Sequence, residues 1–380
     1  MAASRRLPFS VAQYRWRYHW LRKKSVTPTG PFYINIEPTS YCNIRCQLCS
    51  YNYTRKPGYM DLGLYEKIID EAASLNIHEV AHFLAGEPLL HPELPYMIEY
   101  ATVSGMESRL HTNGMLLTEE KSRQLLDAGL AFLGVSFDGE DAETYNDMRR
   151  GSDFDQVVEN LRTFLRLKAE RGKETPHVTL KIVKQEAGSA GAEGEAGAAH
   201  GDGNNNGGGD NGVTGLDGAD LRVSEMFRRH FDGLPVDRLK VIHPHAWRGE
   251  VKHVVPQVTT GDYYYPCMVL WGTLSIGWDG RVVGCAADLN GHDILGDLNQ
   301  QSIMDIWNSD RLRYYRDMHA NGRYQELDLC RECNFVWRGK NPHVAFLMSK
   351  MLPGSVKRRG KSLLSSTRLV GKDVRTRLYS

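Results

Sequence analysis

Residues 32–49 read FYINIEPTSYCNIRCQLC. The first six, Phe32–Glu37, alternate like a strand with one buried face. They run directly into Cys42, Cys46 and Cys49, a C-x3-C-x2-C loop. Thiolates are the usual ligands of iron–sulfur clusters, and a four-iron cubane normally takes four. Three in a tight loop leave one iron without a protein ligand, and an open position is where a metal site does chemistry. The same spacing also suits a structural zinc completed by a histidine, with His82 or His111 as the candidate.

Further along the chain, strands and helices alternate. Strands are expected at Glu79–Leu84, Glu107–His111, Ala131–Phe137, His177–Val183 and Arg238–Ile242. Helical spacing marks Leu62–Leu75, Leu94–Ala101, Thr118–Ala128, Phe154–Lys168 and Leu221–Phe231. With Phe32–Glu37 this gives six strands separated by helices, the pattern of parallel β/α units. Six units predict an α/β fold, a partial (β/α)6 TIM-like barrel, over a closed eight-fold one. Ala187–Ala219 interrupts the pattern with twelve glycines and no Lys or Arg. Such a stretch buries too little apolar surface to offset its ordering entropy, so a disordered insertion is expected.

Residues 262–340 have a different texture. Leu274–Trp278, an Asp279-Gly280 turn and Arg281–Cys285 read as a β-hairpin, and a helix is expected at about Ser302–His319. Cys267 precedes the hairpin and Cys285 ends it, so both lie at its open end. Cys330-Arg-Glu-Cys333 adds a close pair. Four thiolates suit one [4Fe–4S] cluster or one zinc. The expected organisation is a basic segment 1–31, a barrel 32–250 with the 187–219 insertion, a small domain 262–340, and a basic tail 341–380.

The motifs in this order resemble the radical S-adenosylmethionine (AdoMet) superfamily. Gly86-Glu87-Pro88 resembles its GGEP motif, which binds the methionine amino group. Thr112-Asn113-Gly114 resembles its TNG, and Val135–Gly139 its VS-x-DG, whose serine, here Ser136, faces the ribose. Arg149 matches the arginine that commonly holds the AdoMet carboxylate. Ala85 departs from the first glycine of GGEP, and Leu48 from the usual aromatic before the last cysteine. Pro266-Cys267, Gly280-x4-Cys285, Ser302–Trp307 and Cys330-x2-Cys333 resemble the SPASM/twitch extension, in the shorter twitch form because no cysteine follows Cys333.

The resemblance implies cofactors and a mechanism. Cys42, Cys46 and Cys49 would hold a [4Fe–4S] cluster whose open iron chelates AdoMet. Gly86, Glu87, Pro88, Asn113, Ser136 and Arg149 would contact AdoMet. Cys267, Cys285, Cys330 and Cys333 would hold an auxiliary [4Fe–4S] cluster. A 5′-deoxyadenosyl radical would take a substrate hydrogen, and the auxiliary cluster would accept the remaining electron. The twitch arrangement resembles that of aminocyclitol dehydrogenases of the 2-deoxy-scyllo-inosamine type, which implies an oxidoreductase acting on a small hydroxylated molecule. A maturase acting on a peptide and a non-catalytic zinc protein are the other readings. An electron donor such as flavodoxin or ferredoxin is implied. No catalytic proton acceptor is legible, though His111, Asp288 and the His243–Trp247 stretch lie near the expected cavity.

Bulk properties agree. A formal charge of +1 gives no reason to expect a polyanionic partner for the whole molecule. Basic residues crowd the ends, from Arg5 to Lys24 and from Lys357 to Arg377, which reads as solvated tails. No run approaches 18 apolar residues and no apolar h-region follows the N-terminus, so a cytoplasmic protein is expected. In a reducing compartment, seven cysteines point to metal before disulfides.

Overall fold

The computed structural model describes residues 29–139, 141–172, 174–183, 221–242, 248, 250–251, 263–333 and 335–338. The 187–219 insertion, the His243–Trp247 stretch, most of the basic N-terminal segment and the 341–380 tail lie outside the described residues.

The strands are β1 (Tyr33–Ile36), β2 (Arg45–Cys46), β3 (Glu79–His82), β4 (Glu107–Thr112), β5 (Phe132–Ser136), β6 (Arg149–Arg150), β7 (His177–Val183), β8 (Arg238–Ile242), β9 (Tyr263–Tyr264), β10 (Thr273–Ile276), β11 (Arg281–Val283), β12 (Ile294–Asp297) and β13 (Trp337–Arg338). One nine-stranded sheet runs in the order β12-β11-β10-β1-β3-β4-β5-β7-β8. The six strands expected from the sequence pair in parallel within it, adjacent in chain order as β/α units require. This is a partial TIM-like barrel.

The helices between strands form for local reasons. Asp61, Thr118 and Asp153 accept hydrogen bonds from first-turn backbone N–H groups of Leu62–Ser74, Glu119–Asp127 and Phe154–Glu170. The apolar stripes of the second and third of these pack on one face of the sheet. There Leu125, Leu126, Val157, Leu161 and Phe164 meet Leu110, Leu133, Val135 and Leu180. Strand alternation sends every second residue to the opposite face, the barrel interior.

The expected hairpin is β10 and β11, antiparallel, and a third strand, β12, extends it. β10 pairs in parallel with β1, Ile276 beside Ile36, so the second cysteine segment continues the barrel sheet. The single helix expected at Ser302–His319 is two helices, Ile303–Trp307 and Asp310–Ala320. Asn308 and Ser309 separate them, because the Ser309 side chain caps Leu312 and starts a new helix. Ala142–Met148 is a helix the periodicity did not predict, with Tyr145 its one buried residue.

The described residues of 29–257 and 266–336 form one compact unit. In the other unit, β9 and β13 pair antiparallel, Trp337 beside Tyr264.

Candidate active site

The first cysteine loop is anchored by backbone. β2 pairs antiparallel with β6, placing Cys46 opposite Arg149. The Gln47 N–H and side-chain amide donate to the Met148 and Asp147 carbonyls at 2.9 Å, so the loop is tied to the end of the Ala142–Met148 helix. Arg149 is buried; its Nη2 meets Asp138 Oδ2 at 2.5 Å and its Nη1 lies 3.8 Å from Cys46 Sγ. Its Nε is buried with no hydrogen-bond partner. Asp138 also accepts from the Val183 N–H at 2.8 Å.

Gly86 lies where the loop and β3 meet. Its φ is +75°, and a Cβ there would sit 2.3 Å from the Thr39 carbonyl oxygen and 2.7 Å from that of Tyr41. The Glu87 N–H donates to the Tyr41 carbonyl at 2.7 Å. The Glu87 carboxylate is buried and accepts from Thr112 Oγ1 at 2.7 Å, Asn113 N–H at 2.8 Å and Leu89 N–H at 3.1 Å. Burial pushes its pKa up, opposed by those hydrogen bonds and by the charge of Arg149. Pro88 opens the short 3-10 turn that Glu87 caps. Asn113 reaches back, its Nδ2 donating to Asn43 Oδ1 inside the cysteine loop at 2.9 Å. Ser136 ends β5, half-buried and in register with Lys181.

A residue that sequence reasoning missed joins these parts. Glu37 is fully buried just past β1; its Oε1 accepts from Arg55 and from the Ala85 N–H, and its Oε2 from the Trp278 N–H at 3.0 Å. Arg55 Nε in turn donates to the Leu289 carbonyl at 2.9 Å. Asn290 Nδ2 donates to the Ser50 carbonyl, beside Cys49, at 2.8 Å. The signal in the sequence was an acid closing an apolar strand beside a metal loop; its partners are too distant along the chain to be read.

Cys267, Cys285, Cys330 and Cys333 line one cavity, together with Arg248 and His319. Backbone N–H groups of Ala287 and Phe335 donate to the sulfurs of Cys285 and Cys333 at 3.4 Å. Burial pushes the Cys285 and Cys333 thiols up to about 12, and Cys46 in the first loop likewise. Such thiols keep their protons until a metal displaces them, so metal binding and proton release are coupled. All seven cysteines are free, and no described group of three His, Cys, Asp or Glu is closed around a metal-sized point. The sulfur-only donor sets, the close backbone approach at Gly86 and the buried Arg149 Nε fit clusters and an anionic cofactor group.

The other sequence candidates divide. His82 is fully buried, its ring nitrogens at 2.9 Å from Tyr65 Oη and 3.1 Å from the Arg109 carbonyl. His111 Nδ1 lies 2.9 Å from Lys181 Nζ. Both His82 nitrogens and the Nδ1 of His111 are thus engaged within the barrel. Asp288 is buried beside the cavity, accepting from the His292 and Asp293 N–H groups, with Arg248 Nη1 at 3.1 Å. It supports the loop after Cys285.

Comparison with known proteins names the class. A profile of the radical SAM superfamily matches residues 36–182, and that of an iron–sulfur cluster-binding domain, SPASM, matches residues 267–334. The chain thus carries a radical SAM domain and a C-terminal SPASM domain, which support an enzyme of the radical SAM oxidoreductase type with [4Fe–4S] clusters and AdoMet as cofactors. It is 23% identical over 308 residues to the AdoMet-dependent 2-deoxy-scyllo-inosamine dehydrogenase of Niallia circulans, covering 80% of this chain and 92% of that protein. With the tungsten-containing aldehyde ferredoxin oxidoreductase cofactor-modifying protein of Pyrococcus furiosus it is 27% identical, but the match spans only 43% of that relative and 40% of this chain. In fold it is similar to BtrN in complex with AdoMet and 2-DOIA (TM-score 0.51, 20% identity, 83% of this chain and 97% of that one). It is also similar to Streptococcus suis SuiB bound to precursor peptide SuiA (TM-score 0.58, 14% identity, 88% and 77%). No described helix is long and apolar enough to cross a membrane.

Proposed function

We propose that the protein dehydrogenates a small hydroxylated molecule, with Cys42, Cys46 and Cys49 holding the AdoMet-binding cluster and Cys267, Cys285, Cys330 and Cys333 an auxiliary [4Fe–4S] cluster in a twitch-type domain. When bound, the first cluster and AdoMet supply a 5′-deoxyadenosyl radical. Gly86, Glu87, Pro88, Asn113, Ser136 and Arg149 hold and orient AdoMet. Glu87 fixes the Asn113 loop, and Arg149 offers its Nε to the AdoMet carboxylate. In the reaction the substrate carbon gives up a hydrogen atom, its hydroxyl gives up a proton, and the remaining electron leaves through the auxiliary centre, so an alcohol becomes a ketone. A reduced flavodoxin or ferredoxin supplies the electron that starts each turnover.

The observation that carries this reading is the shared cavity of the four remaining cysteines, hydrogen-bonded through Asn290 and Arg55 to the first loop's own segment. Four protein ligands leave such a cluster no open position for substrate, so its role is electron transfer. The 92% coverage of the dehydrogenase relative points the same way. The likeness to SuiB bound to a precursor peptide keeps peptide modification as the second reading.

The test is anaerobic turnover of reconstituted enzyme with polyol, sugar and peptide pools. About eight irons per chain, 5′-deoxyadenosine formation and a ketone product are expected. A Cys330→Ala/Cys333→Ala variant is expected to keep cleaving AdoMet while losing ketone formation. Ketone formation by that variant, or modified peptide alone, overturns the reading.

A further inference from the structure

The cavity of the second cysteine set has one charged wall. Arg248 lines it together with Cys267, Cys285, Cys330, Cys333 and His319, and the other lining residues are apolar or small. His319 is turned to the backbone, its Nδ1 accepting from the Cys267 N–H at 3.3 Å. Among the described residues, Arg248 is therefore the lining group with a permanent charge.

The loop after Cys285 places it. Arg248 Nη1 lies 3.1 Å from Asp288 Oδ1, and the Asp288 N–H donates to the Cys285 carbonyl at 3.0 Å. The Asp288 side chain is fully buried and is not part of the cavity wall. Its two oxygens accept from the His292 and Asp293 N–H groups at 3.0 and 2.8 Å. The nearby Glu250 carboxylate is engaged elsewhere, with Asn290 Nδ2 at 3.0 Å and His292 Nδ1 at 3.5 Å. The Arg248 backbone has a φ of +62°, in the left-handed region that side chains rarely adopt, so its surroundings hold it there. The result is a guanidinium set between a buried carboxylate and a cavity lined by sulfur.

One donor in this arrangement is left over. Arg248 Nη1 is buried and, although within ion-pair distance of Asp288, makes no hydrogen bond among the described residues. A buried donor without an acceptor costs free energy, so the position suits an acceptor that binds in the cavity. Reduction of a [4Fe–4S] centre held by the four thiolates would add one negative charge there. Hydrogen bonds to the sulfurs and the net charge nearby set the potential at which such a centre takes its electron.

We propose that Arg248 poises the auxiliary centre as electron acceptor: its Nη1–H donates into the four-cysteine cavity, and its charge favours the reduced, more negative cluster. Arg248 outweighs Asp288 because the guanidinium, and not the carboxylate, lines the cavity. In the dehydrogenation the substrate radical loses one electron to the cluster and one proton from its hydroxyl, and a one-electron carrier of the flavodoxin or ferredoxin type reoxidises the cluster. This role rests on the four-cysteine cluster of the reading above, and iron content separates the two.

The test uses the full-length chain, anaerobically reconstituted, in a Cys42→Ala/Cys46→Ala/Cys49→Ala background, so that a redox titration followed by electron paramagnetic resonance reads the auxiliary centre alone. About four irons per chain are expected there. Arg248→Gln removes the charge but keeps an amide donor for Asp288. It is expected to lower the constant for one-electron reduction about ten-fold, a midpoint shift of about 59 mV downward. Arg248→Lys keeps the charge and is expected to stay within about three-fold. Arg248→Met/Asp288→Asn strands neither partner and leaves the net charge of the pair unchanged. It is still expected to lower the constant about three-fold or more, because the donor that lines the cavity is gone. Fewer than about two irons in the background overturns the four-cysteine reading and this role with it. With about four irons bound, a constant within about two-fold of the parent in Arg248→Gln or in the double variant overturns the role alone, as does an equal fall in Arg248→Lys. Iron loss from every Arg248 variant makes the residue a support of the loop and overturns the role as well.

Discussion

Cys46 and Arg149 face each other as paired residues of a two-residue antiparallel ladder, and the Arg149 guanidinium returns to 3.8 Å from Cys46 Sγ. One backbone contact therefore positions together the cysteine proposed to hold the first cluster and the arginine proposed to hold AdoMet. Arg149→Met strands the buried carboxylate of Asp138, and breaking such a pair costs about 3–5 kcal/mol. Arg149→Met/Asp138→Asn removes both charges, while the new amide oxygen can still accept from the Val183 N–H. The double variant is expected to recover most of the lost stability, measured by denaturant unfolding. Neither variant is expected to bind AdoMet within about ten-fold of the parent, by equilibrium binding to the reconstituted enzyme. Recovery of AdoMet affinity in the double variant would reduce Arg149 to a structural role.

Gly86 makes a second prediction. Its positive φ and the 2.3 Å approach to the Thr39 carbonyl leave no room for a side chain. Gly86→Ala is expected to push the segment leading to Cys42 away from β3, with about 1–3 kcal/mol of backbone strain. Iron analysis should show loss of about four irons per chain while the second centre keeps its own. Full iron loading in Gly86→Ala would mean that the loop is not set by this contact.

The fold was legible because its signals are local. Apolar runs such as Phe132–Ser136 and alternating ones such as His177–Val183 gave all six parallel strands, and helical spacing such as that of Phe154–Lys168 gave the helices between them. The helix Ala142–Met148 escaped because one buried residue, Tyr145, makes no period. The break at Asn308-Ser309 was hidden by apolar spacing that continues across it. Motif residues at strand ends were legible for the same local reason. The contacts of Glu37 with Trp278, 241 positions away, and of Lys181 with His111, 70 away, were not. Only the folded sheet brings those groups together.

His91 provides a pH signature. It is buried behind the Glu87 turn, with Nε2–H donating to the Met60 carbonyl at 3.1 Å and Nδ1 accepting from the Glu93 N–H at 3.2 Å. Protonation would turn that acceptor into a donor facing another donor. Burial accordingly holds its pKa below 6.5, as it does for His82, lowered to about 4. Because the folded pKa is depressed, the unfolded chain takes the proton first. The stability contribution is complete above about pH 6.5 and is lost as pH falls through the folded pKa. His91→Gln is expected to reduce the slope of unfolding free energy below pH 6.5 by up to about 1.4 kcal/mol per pH unit, one proton's worth, leaving that of His82. An unchanged slope would show that His91 is not neutral in the folded protein.

Glu37 tests whether the two cysteine sets form one framework. Its carboxylate accepts from Arg55, Ala85 N–H and Trp278 N–H, which belong to the segment after the first loop, the loop after β3 and the turn of the β10–β11 hairpin. In Glu37→Gln one carboxylate oxygen becomes an NH2 that must face a donor, and Arg55 keeps a buried charge without its partner. The expected cost is about 3 kcal/mol, read by denaturant unfolding. Because Arg55 also holds the Leu289 carbonyl, close to Cys285, its loosening is expected to lower iron retention at both centres on gel filtration after reconstitution. Arg55→Met should behave alike, since it strands Glu37 instead. Iron loss confined to one centre in both variants would mean that the centres are assembled independently, with Glu37 serving only the barrel.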